Sequence, residues 1–442
     1  MKRLGIKTKA LPAPRELITD IYLITLLFLF PLFPGFSGYE KITLSKFVFL
    51  LVVTGLWLAA LLVLALTKAD NAPLPRLTAP QWAAFAFLAA ALLSSLASPW
   101  YPATLLGTGR YDGLISLAVY VMIFLGASVF TRPKPVHAAA LAVSAALCCA
   151  VGILQLLGCD PLRLYPAGVG WADAGTRYVG AYLGTVGNTN ILDAILCLAI
   201  PLCAVSVLRR RKWVYLLPLA LSLAVVAAAG GSGAAVALCA FVPAALLVLP
   251  RSRRSRRVCA VIAAALCLAS LAALWFWPGT DGTLYEISQT LHGHPEDSFG
   301  SSRIRIWREC FALFPERPLL GGGPGTLRQR VDIVFSRFIP ETGITARTAV
   351  DNAHSIYLGY LINTGLLGLA AYLALLISSA LRALRLSRSD DLIAAIALAV
   401  FCGAVHACFG LGLSLSEPLF FALLGLCCPL QLSELPEGES CL

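Results

Sequence analysis

The chain has 442 residues, of which 59% are hydrophobic and 13% charged, with a formal net charge of +11 and a mean hydropathy of +0.81. A soluble domain carries roughly a quarter charged residues, so this composition excludes an ordinary soluble protein. The excess of basic residues does not indicate a nucleic-acid-binding protein, because Lys and Arg occur in short clusters between apolar segments, such as 209–212 and 251–257. Such clusters are typical of the cytoplasmic loops of a membrane protein.

Apolar segments of the length needed to cross a bilayer, about 20 residues, recur along the chain. The first follows a basic N-terminal stretch and is not followed by a small-residue cleavage site, so we expect a retained span rather than a signal peptide. The pattern predicts an all-α integral membrane protein with about twelve transmembrane helices. The predicted spans are 18–34, 43–66, 79–97, 113–130, 136–158, 188–207, 213–229, 232–249, 257–277, 358–380, 391–411 and 416–432.

The charge of the connections predicts the orientation of these spans. Every even-numbered connection is short and basic, which places both termini in the cytoplasm. The loops at 98–112, 159–187 and 278–357 then lie outside. The chain is thus divided into spans one to nine (1–277), a large outer loop (278–357), and the last three spans with a C-terminal tail (358–442).

The large outer loop is rich in arginine and contains no lysine. Arginine offers a rigid fork of donors that suits phosphate or carboxylate, whereas lysine serves equally well for solubility. Two interpretations stand at this point: a solvated loop with scattered charges, or a site that holds an anionic ligand against the membrane. The arginines are Arg303, Arg305, Arg308, Arg317, Arg328, Arg330, Arg337 and Arg347.

Two amphipathic helices are predicted in this loop. The first covers 303–314, and the second carries five apolar residues on one face: Leu327, Val331, Val334, Phe335 and Phe338. Both could lie in the membrane interface or simply cover the bundle. Between them, the GGGPG run at 321–325 lacks the Gly-Lys-Ser/Thr of a phosphate loop and predicts a turn.

The 14 cysteines fall mostly inside apolar segments, where Cys packs as a small hydrophobic residue. Cys159 and Cys310 stand in outer loops, and a disulfide between them is one hypothesis. No His/Cys spacing typical of a zinc site appears, so no structural metal is expected.

His354 stands where the large outer loop returns to the membrane. A histidine there can be a satisfied interface residue. Near several arginines it can instead accept a proton from a hydroxyl at neutral pH.

Five segments, in this order, resemble the O-antigen ligase and Wzy-type polymerase superfamily. They are LLGTGRYDG (105–113), RYVGAYLGTVGNTN (177–190), SSRIRIW (301–307), RPLLGGGPGT (317–326) and DNAHSIYLGYLINTGLLGL (351–369). The resemblance covers most of the chain from about residue 100 onward, on the predicted outer face.

The resemblance implies a GT-C-like, inverting glycosyltransferase of the bacterial cytoplasmic membrane, with its active site outside and no cofactor or metal. The donor would be an undecaprenyl-diphosphate-linked glycan, and the acceptor a hydroxyl on a lipid, glycan or protein. Carried over by motif, Arg303 and Arg177 would hold the diphosphate, a role that suits the guanidinium group. His354 would activate or position the acceptor hydroxyl. The further substrate-binding candidates are Arg305, Arg110, Asn188, Asn190, Asn352 and Tyr357.

The chain departs from the family pattern at three places. Ser355 replaces the usual Asn after His, Thr189 replaces a Pro, and 231–233 reads Gly-Ser-Gly where Ser-Arg-Gly is frequent. Two ionisable residues inside spans are functional hypotheses by default: Asp193 would line the donor site or pair with an arginine, whereas helix packing is favoured for His406.

Several activities share these motifs. Ligation of a glycan to a lipid core, polymerisation of repeat units and glycan transfer to protein all stay open. From a different class, a lipid-linked glycan transporter or flippase could also have twelve spans, although no internal repeat of the transporter kind is visible.

Overall fold

The protein is mainly helical in the computed structural model, which describes residues 12–70, 73, 75–171, 173, 181–339 and 344–432. Each of the twelve predicted spans coincides with a helical segment. The helices are α1 (Pro14–Ile24), α2 (Ile42–Thr67), α3 (Ala79–Leu96), α4 (Leu114–Leu125), α5 (Pro135–Leu156), α6 (Thr189–Leu208), α7 (Leu216–Ala229), α8 (Ser232–Val248), α9 (Arg253–Trp275), α10 (Gly282–Leu291), α11 (Phe299–Leu313), α12 (Ile356–Leu386), α13 (Asp391–His406) and α14 (Glu417–Leu426).

Six helices in the described part of the chain, α2, α3, α5, α6, α9 and α12, are long and apolar enough to cross a membrane. The other predicted spans are shorter or interrupted. One π-helical stretch, Thr25–Leu29, follows α1, and another, Gly126–Phe130, follows α4. A helix of 10 to 17 residues covers only part of the roughly 30 Å hydrocarbon layer. The protein is a multi-pass membrane protein, and twelve complete spans stay a prediction.

The helices pack around one large buried core. α12 lies along α3, and α13 lies along α6, with α8 against both α6 and α13. Tyr372 of α12 is among the largest side chains in this core, together with Tyr120 of α4 and Phe421 of α14. By contrast α9 is almost fully exposed and packs mainly on α8, as expected for a helix that faces lipid.

The first predicted amphipathic helix is confirmed as α11, and α10 precedes it unforeseen. The second is wrong. A single short turn at Leu327–Gln329 leads into a hairpin of β3 (Val334–Ile339) and β4 (Ile344–Ala349). The burial pattern gives the reason. Val331 and Ile333 are buried, whereas Asp332 and Val334 are exposed. Such alternation is typical of an extended chain and not of a helix.

The GGGPG segment forms the predicted turn and fits into a break in α12. Gly365 has φ 68° and ψ −171°, which interrupts the helix. The amides of Leu366 and Leu367 donate to the carbonyls of Pro318 and Leu319, while the amides of Gly322 and Gly323 donate to α12 carbonyls. These bonds replace those that the helix loses at the break.

The proposed disulfide is wrong. Cys159 is exposed and Cys310 is buried, and both are free thiols. Cys310 packs with Ile306 and Leu327 in a small apolar cluster under the outer segment, where it acts as a core residue.

Candidate active site

Hydrogen bonds bring four of the recognisable segments together. Both the amide and the hydroxyl of Thr108 donate to the Gly325 carbonyl, at 2.8 and 2.7 Å. The indole of Trp307 donates to the Ala353 carbonyl at 3.0 Å. The loop at 105–113, α11, the glycine turn and the segment before α12 therefore form one structural unit.

Arg303 lies at this junction, near the start of α11. Three residues in the left-handed conformation, Gly300, Ser301 and Ser302, precede it and turn the chain so that the arginine faces inward. Its side chain is only 8% exposed, and one guanidinium nitrogen donates to the Gly300 carbonyl at 2.9 Å. Within the described residues its Nε has no partner. The site thus holds a buried cation with hydrogen-bonding capacity to spare.

Burial lowers the pKa of Arg303, and the nearby Glu286 carboxylate offsets this only in part. Arginine nevertheless stays protonated at neutral pH. Glu286 also accepts a bond from the Gly300 amide at 2.9 Å, so it fixes the backbone that aims Arg303. A buried, incompletely paired guanidinium gains most from an anionic ligand that reaches it.

A cavity of about 340 Å³, which we call the Arg303 groove, opens beside this guanidinium. Its walls come from α8 to α11 and from the chain after α13. They are mostly apolar, with Val236, Leu274, Ile287, Phe299, Trp307 and Phe409 among the lining residues. The geometry therefore places Arg303, together with Glu286, in the wall of a mostly apolar channel between helices.

His354 is held in the same unit by its neighbours in the chain. Its φ is 50°, and its amide donates to the Asn352 side chain at 2.9 Å. Burial, and then the charges of Arg303 and Arg110, lower the pKa of His354 to about 4, although Asp351 acts in the opposite sense. The imidazole is therefore neutral at pH 7 and able to accept a proton.

Arg110 forms an ion pair with Asp351, with Nε and Oδ2 2.6 Å apart. Burial alone would lower the pKa of Arg110, but the pair with Asp351 outweighs it, and Tyr182 in β1 (Tyr182–Leu183) adds to the rise. The pair attaches the loop at 105–113 to the segment that carries His354. Arg110, unlike Arg303, already has an anionic partner.

Other predicted site residues have structural partners or lie elsewhere. Arg305 is exposed on α11, with its guanidinium 5.7 Å from the centre of the Phe335 ring. The hydroxyl of Tyr357 donates to the Ala404 carbonyl at 2.8 Å and joins α12 to α13. Arg177 lies outside the described residues.

Asn188 and Asn190 serve the start of α6. Asn188 belongs to β2 (Gly187–Asn188), which pairs with β1, and its side-chain oxygen accepts from the Asn190 amide at 2.9 Å. This is an N-cap, which satisfies a donor that the first helical turn would leave free. Of the predicted set, the structure therefore brings together Arg303, Arg110, His354 and Asn352.

At the first position of the Gly-Ser-Gly departure, Gly231 leaves room for the Asp193 carboxylate. A Cβ on Gly231 would lie 1.7 Å from Oδ2 of Asp193, and one on Gly233 would lie 3.4 Å from the His406 ring. Asp193 is buried and forms no ion pair with an arginine in the described chain. Ser232 itself lines the Arg303 groove.

Sequence reasoning missed three acidic partners of the site, Asp351, Glu286 and Asp112. The last is packed against Gly107 and Gly325, and burial raises its pKa to about 6. Asp351 had a signal, since it lies three residues before His354 in a recognisable motif. Its pairing with Arg110 spans 241 residues, and nothing local indicates such a contact.

Residues 216–373 match a family model described as O-antigen ligase. A search of curated proteins finds no significant match. The matched region runs from α7 into α12, so it contains Arg303 and His354 but not Arg110.

Proposed function

Because the chain carries an O-antigen ligase domain at residues 216–373, which confirms its resemblance to that superfamily, we propose that it is a GT-C-type glycosyltransferase. It transfers a glycan from undecaprenyl diphosphate to an acceptor hydroxyl, with inversion, at the outer face of the bacterial cytoplasmic membrane. Ligation to a lipid is the first expectation, and polymerisation or transfer to protein would use the same site.

One observation carries this proposal: buried Arg303 lines the apolar groove, and its positive charge also acts on the imidazole of His354. A lipid diphosphate needs an apolar channel for its chain and a cation for its phosphates. A transferase also needs a base for the acceptor, and the low pKa of His354, about 4, keeps that base unprotonated at pH 7.

The reaction follows from these positions. The acceptor oxygen attacks the anomeric carbon while His354 takes the hydroxyl proton. The bond from that carbon to the diphosphate oxygen breaks, and the electron pair leaves with the diphosphate. Arg303 stabilises the charge that develops there, and because the protein already holds it in place, little reorganisation is needed.

Arg110 and Asp351 support this step in a second way. Their ion pair, 2.6 Å long, keeps the His354 segment against the loop at 105–113. Arg110 also opposes protonation of His354 before the substrate binds. Arg177 is proposed as a second diphosphate ligand on the strength of its motif alone.

The test is an assay of the purified chain in nanodiscs, with an undecaprenyl-diphosphate-linked glycan and candidate acceptors. We expect release of undecaprenyl diphosphate by the wild type and strong loss in His354→Ala. His294→Ala is the matched control, since His294 is an exposed histidine of the same outer segment. A ladder of products identifies a polymerase, and a single addition identifies a ligase.

Two results would contradict the proposal. Folded wild-type protein that releases no diphosphate with any acceptor, yet moves the lipid-linked glycan between leaflets, would indicate a transporter. Activity that is abolished by EDTA and restored by magnesium would show that a metal, rather than the guanidiniums, neutralises the leaving group.

A further inference from the structure

A second apolar cavity lies far from the Arg303 groove, between α8, α12 and α13. Its volume is about 560 Å³, and we call it the Phe401 groove. Its lining includes Leu247, Leu376, Ile377, Ala380, Phe401 and Ala404. This volume falls within the range of established ligand sites, about 300–1,000 Å³, and the walls offer almost nothing for a polar group to bind.

The Phe401 groove continues into a basic pocket, which we call the Arg256 pocket. This cavity of about 270 Å³ is lined by Arg251, Arg256, Ser387 and Arg388 as well as apolar residues. The two cavities share Leu247, Val248 and Leu384 as walls. The apolar cleft between the helices therefore adjoins a group of guanidiniums and shares part of its wall with their pocket.

The arginines of the pocket differ in how far they are neutralised. Arg251 pairs with Asp391 at 2.6 Å and donates to the carbonyls of Ser387 and Arg388, which fixes the wall of the pocket. Arg256 and Arg388 form no ion pair with any side chain in the described chain. Two positive charges thus face the pocket without an anionic partner.

The site lies at the opposite end of the helices from the candidate active site. Ser232 at the start of α8 lines the Arg303 groove, whereas Val248 at its end lines the Arg256 pocket. With 17 residues, α8 separates the two by about 25 Å. This is the end that the charge pattern places in the cytoplasm.

We propose that the Phe401 groove and the Arg256 pocket together bind one anionic phospholipid of the inner leaflet. An acyl chain occupies the groove, and the phosphodiester accepts hydrogen bonds from Arg256 and Arg388. Basic pockets between helices on this side of a membrane suit anionic headgroups. Because the cationic and apolar parts are continuous, the occupant is a lipid and not a free phosphate.

The experiment measures retained lipid by native mass spectrometry, after the delipidated chain is equilibrated with equal amounts of phosphatidylglycerol and phosphatidylcholine. Wild type should prefer the anionic lipid. In the double variant Arg256→Gln/Arg388→Gln, the ratio of retained phosphatidylglycerol to phosphatidylcholine should fall about fivefold for each arginine removed. The control is the double variant Arg253→Gln/Arg254→Gln. It also removes two positive charges, here from the basic run 251–257 but outside the pocket, and should keep the preference.

A second pair of variants tests the groove. Ala380→Phe fills it and should reduce retention of phosphatidylglycerol, whereas Ala374→Phe, on the same helix but outside the groove, should not. Equal preference in both double variants would overturn the proposal. So would inorganic phosphate alone raising the unfolding temperature as much as phosphatidylglycerol does. Neither readout depends on glycan transfer, so both test the lipid site independently of the proposed activity.

Discussion

The two ends of the protein use arginine in different ways. At the end that holds the candidate active site, Arg303 is buried and tied to its own backbone, and Arg110 is fixed by Asp351. At the opposite end, the five arginines within 251–257 are all exposed. A fixed, desolvated guanidinium can stabilise charge that forms during a reaction, while exposed ones orient the chain and attract headgroups. The number of arginines therefore does not distinguish these two roles, whereas the burial and pairing of each side chain do.

The largest expected effect comes from removing the restrained cation. Arg303→Ala should lower kcat by about 10²- to 10³-fold, the usual loss for one group that stabilises a developing anion. Arg303→Lys should lose most of the activity as well, because a point charge cannot reproduce the fork. Release of undecaprenyl diphosphate is the measurement.

Arg308→Ala is the matched control for this prediction. Arg308 lies on the same helix, is exposed, and pairs only with the exposed Asp297 at 2.6 Å. An ion pair on the surface contributes little to the stability of the folded protein. Equal losses in Arg303→Ala and Arg308→Ala would mean that the loop works through its net charge, and the contrast between restrained and exposed arginines would fail.

The break in α12 gives the second prediction. Gly365 has φ 68°, and a Cβ there would lie 2.2 Å from the Leu319 carbonyl oxygen. Gly365→Ala should therefore separate the glycine turn from α12, at a cost of at least about 1–3 kcal/mol for the strained backbone. Both the unfolding temperature and activity should fall, since the turn also holds the loop that carries Arg110.

Gly359→Ala is the control in the same helix. A Cβ there meets nothing within 4 Å, so alanine should leave stability unchanged or raise it by up to about 1 kcal/mol. If both variants behaved alike, the docking of the turn would not be what supports the candidate active site.

These contacts show what local sequence can and cannot predict. The apolar segments are local signals, so the helices could be predicted, whereas the orientation that the basic clusters indicate stays a prediction. Arg303 and His354 followed from short motifs. The Arg110–Asp351 pair, the turn docked at Gly365 and the walls of the Arg303 groove depend on segments that are far apart in the chain. The hairpin at Val334 was missed because five apolar positions fitted a helical face, although alternation governed the burial.

The third prediction concerns the Arg303 groove as the path for the lipid chain. Val236 lines it from α8. Val236→Phe should displace about two methylene groups of the donor, each worth about 0.8 kcal/mol, and so raise KM about tenfold. Val242→Phe, at an exposed position of the same helix outside the groove, should change nothing.

The length of the donor chain provides the check. A donor with a short prenyl chain does not reach the added ring, so its KM should be similar in wild type and Val236→Phe. An equal rise in KM for short and long donors would point to a disturbed fold rather than an occupied groove.

The smallest effect, and the most specific, is the pH dependence. Burial and the charges of Arg303 and Arg110 lower the pKa of His354 to about 4, while Asp351 raises it. The acid limb of kcat/KM, which reports the free enzyme, should therefore lie near pH 4 and not near 6.5. The neutral base persists as the pH falls from 6.5 and is lost only as the pH passes through the lowered pKa.

The two members of the ion pair should move this limb in opposite directions. Arg110→Gln removes a charge that opposes protonation, so the apparent pKa should rise. Asp351→Asn removes the carboxylate that favours protonation, so it should fall further. A purely structural role for the pair would lower activity in both variants and leave the limb where it is. Opposite shifts require that His354 is the titrating base and that both partners face it, which connects the restrained arginines directly to the chemistry.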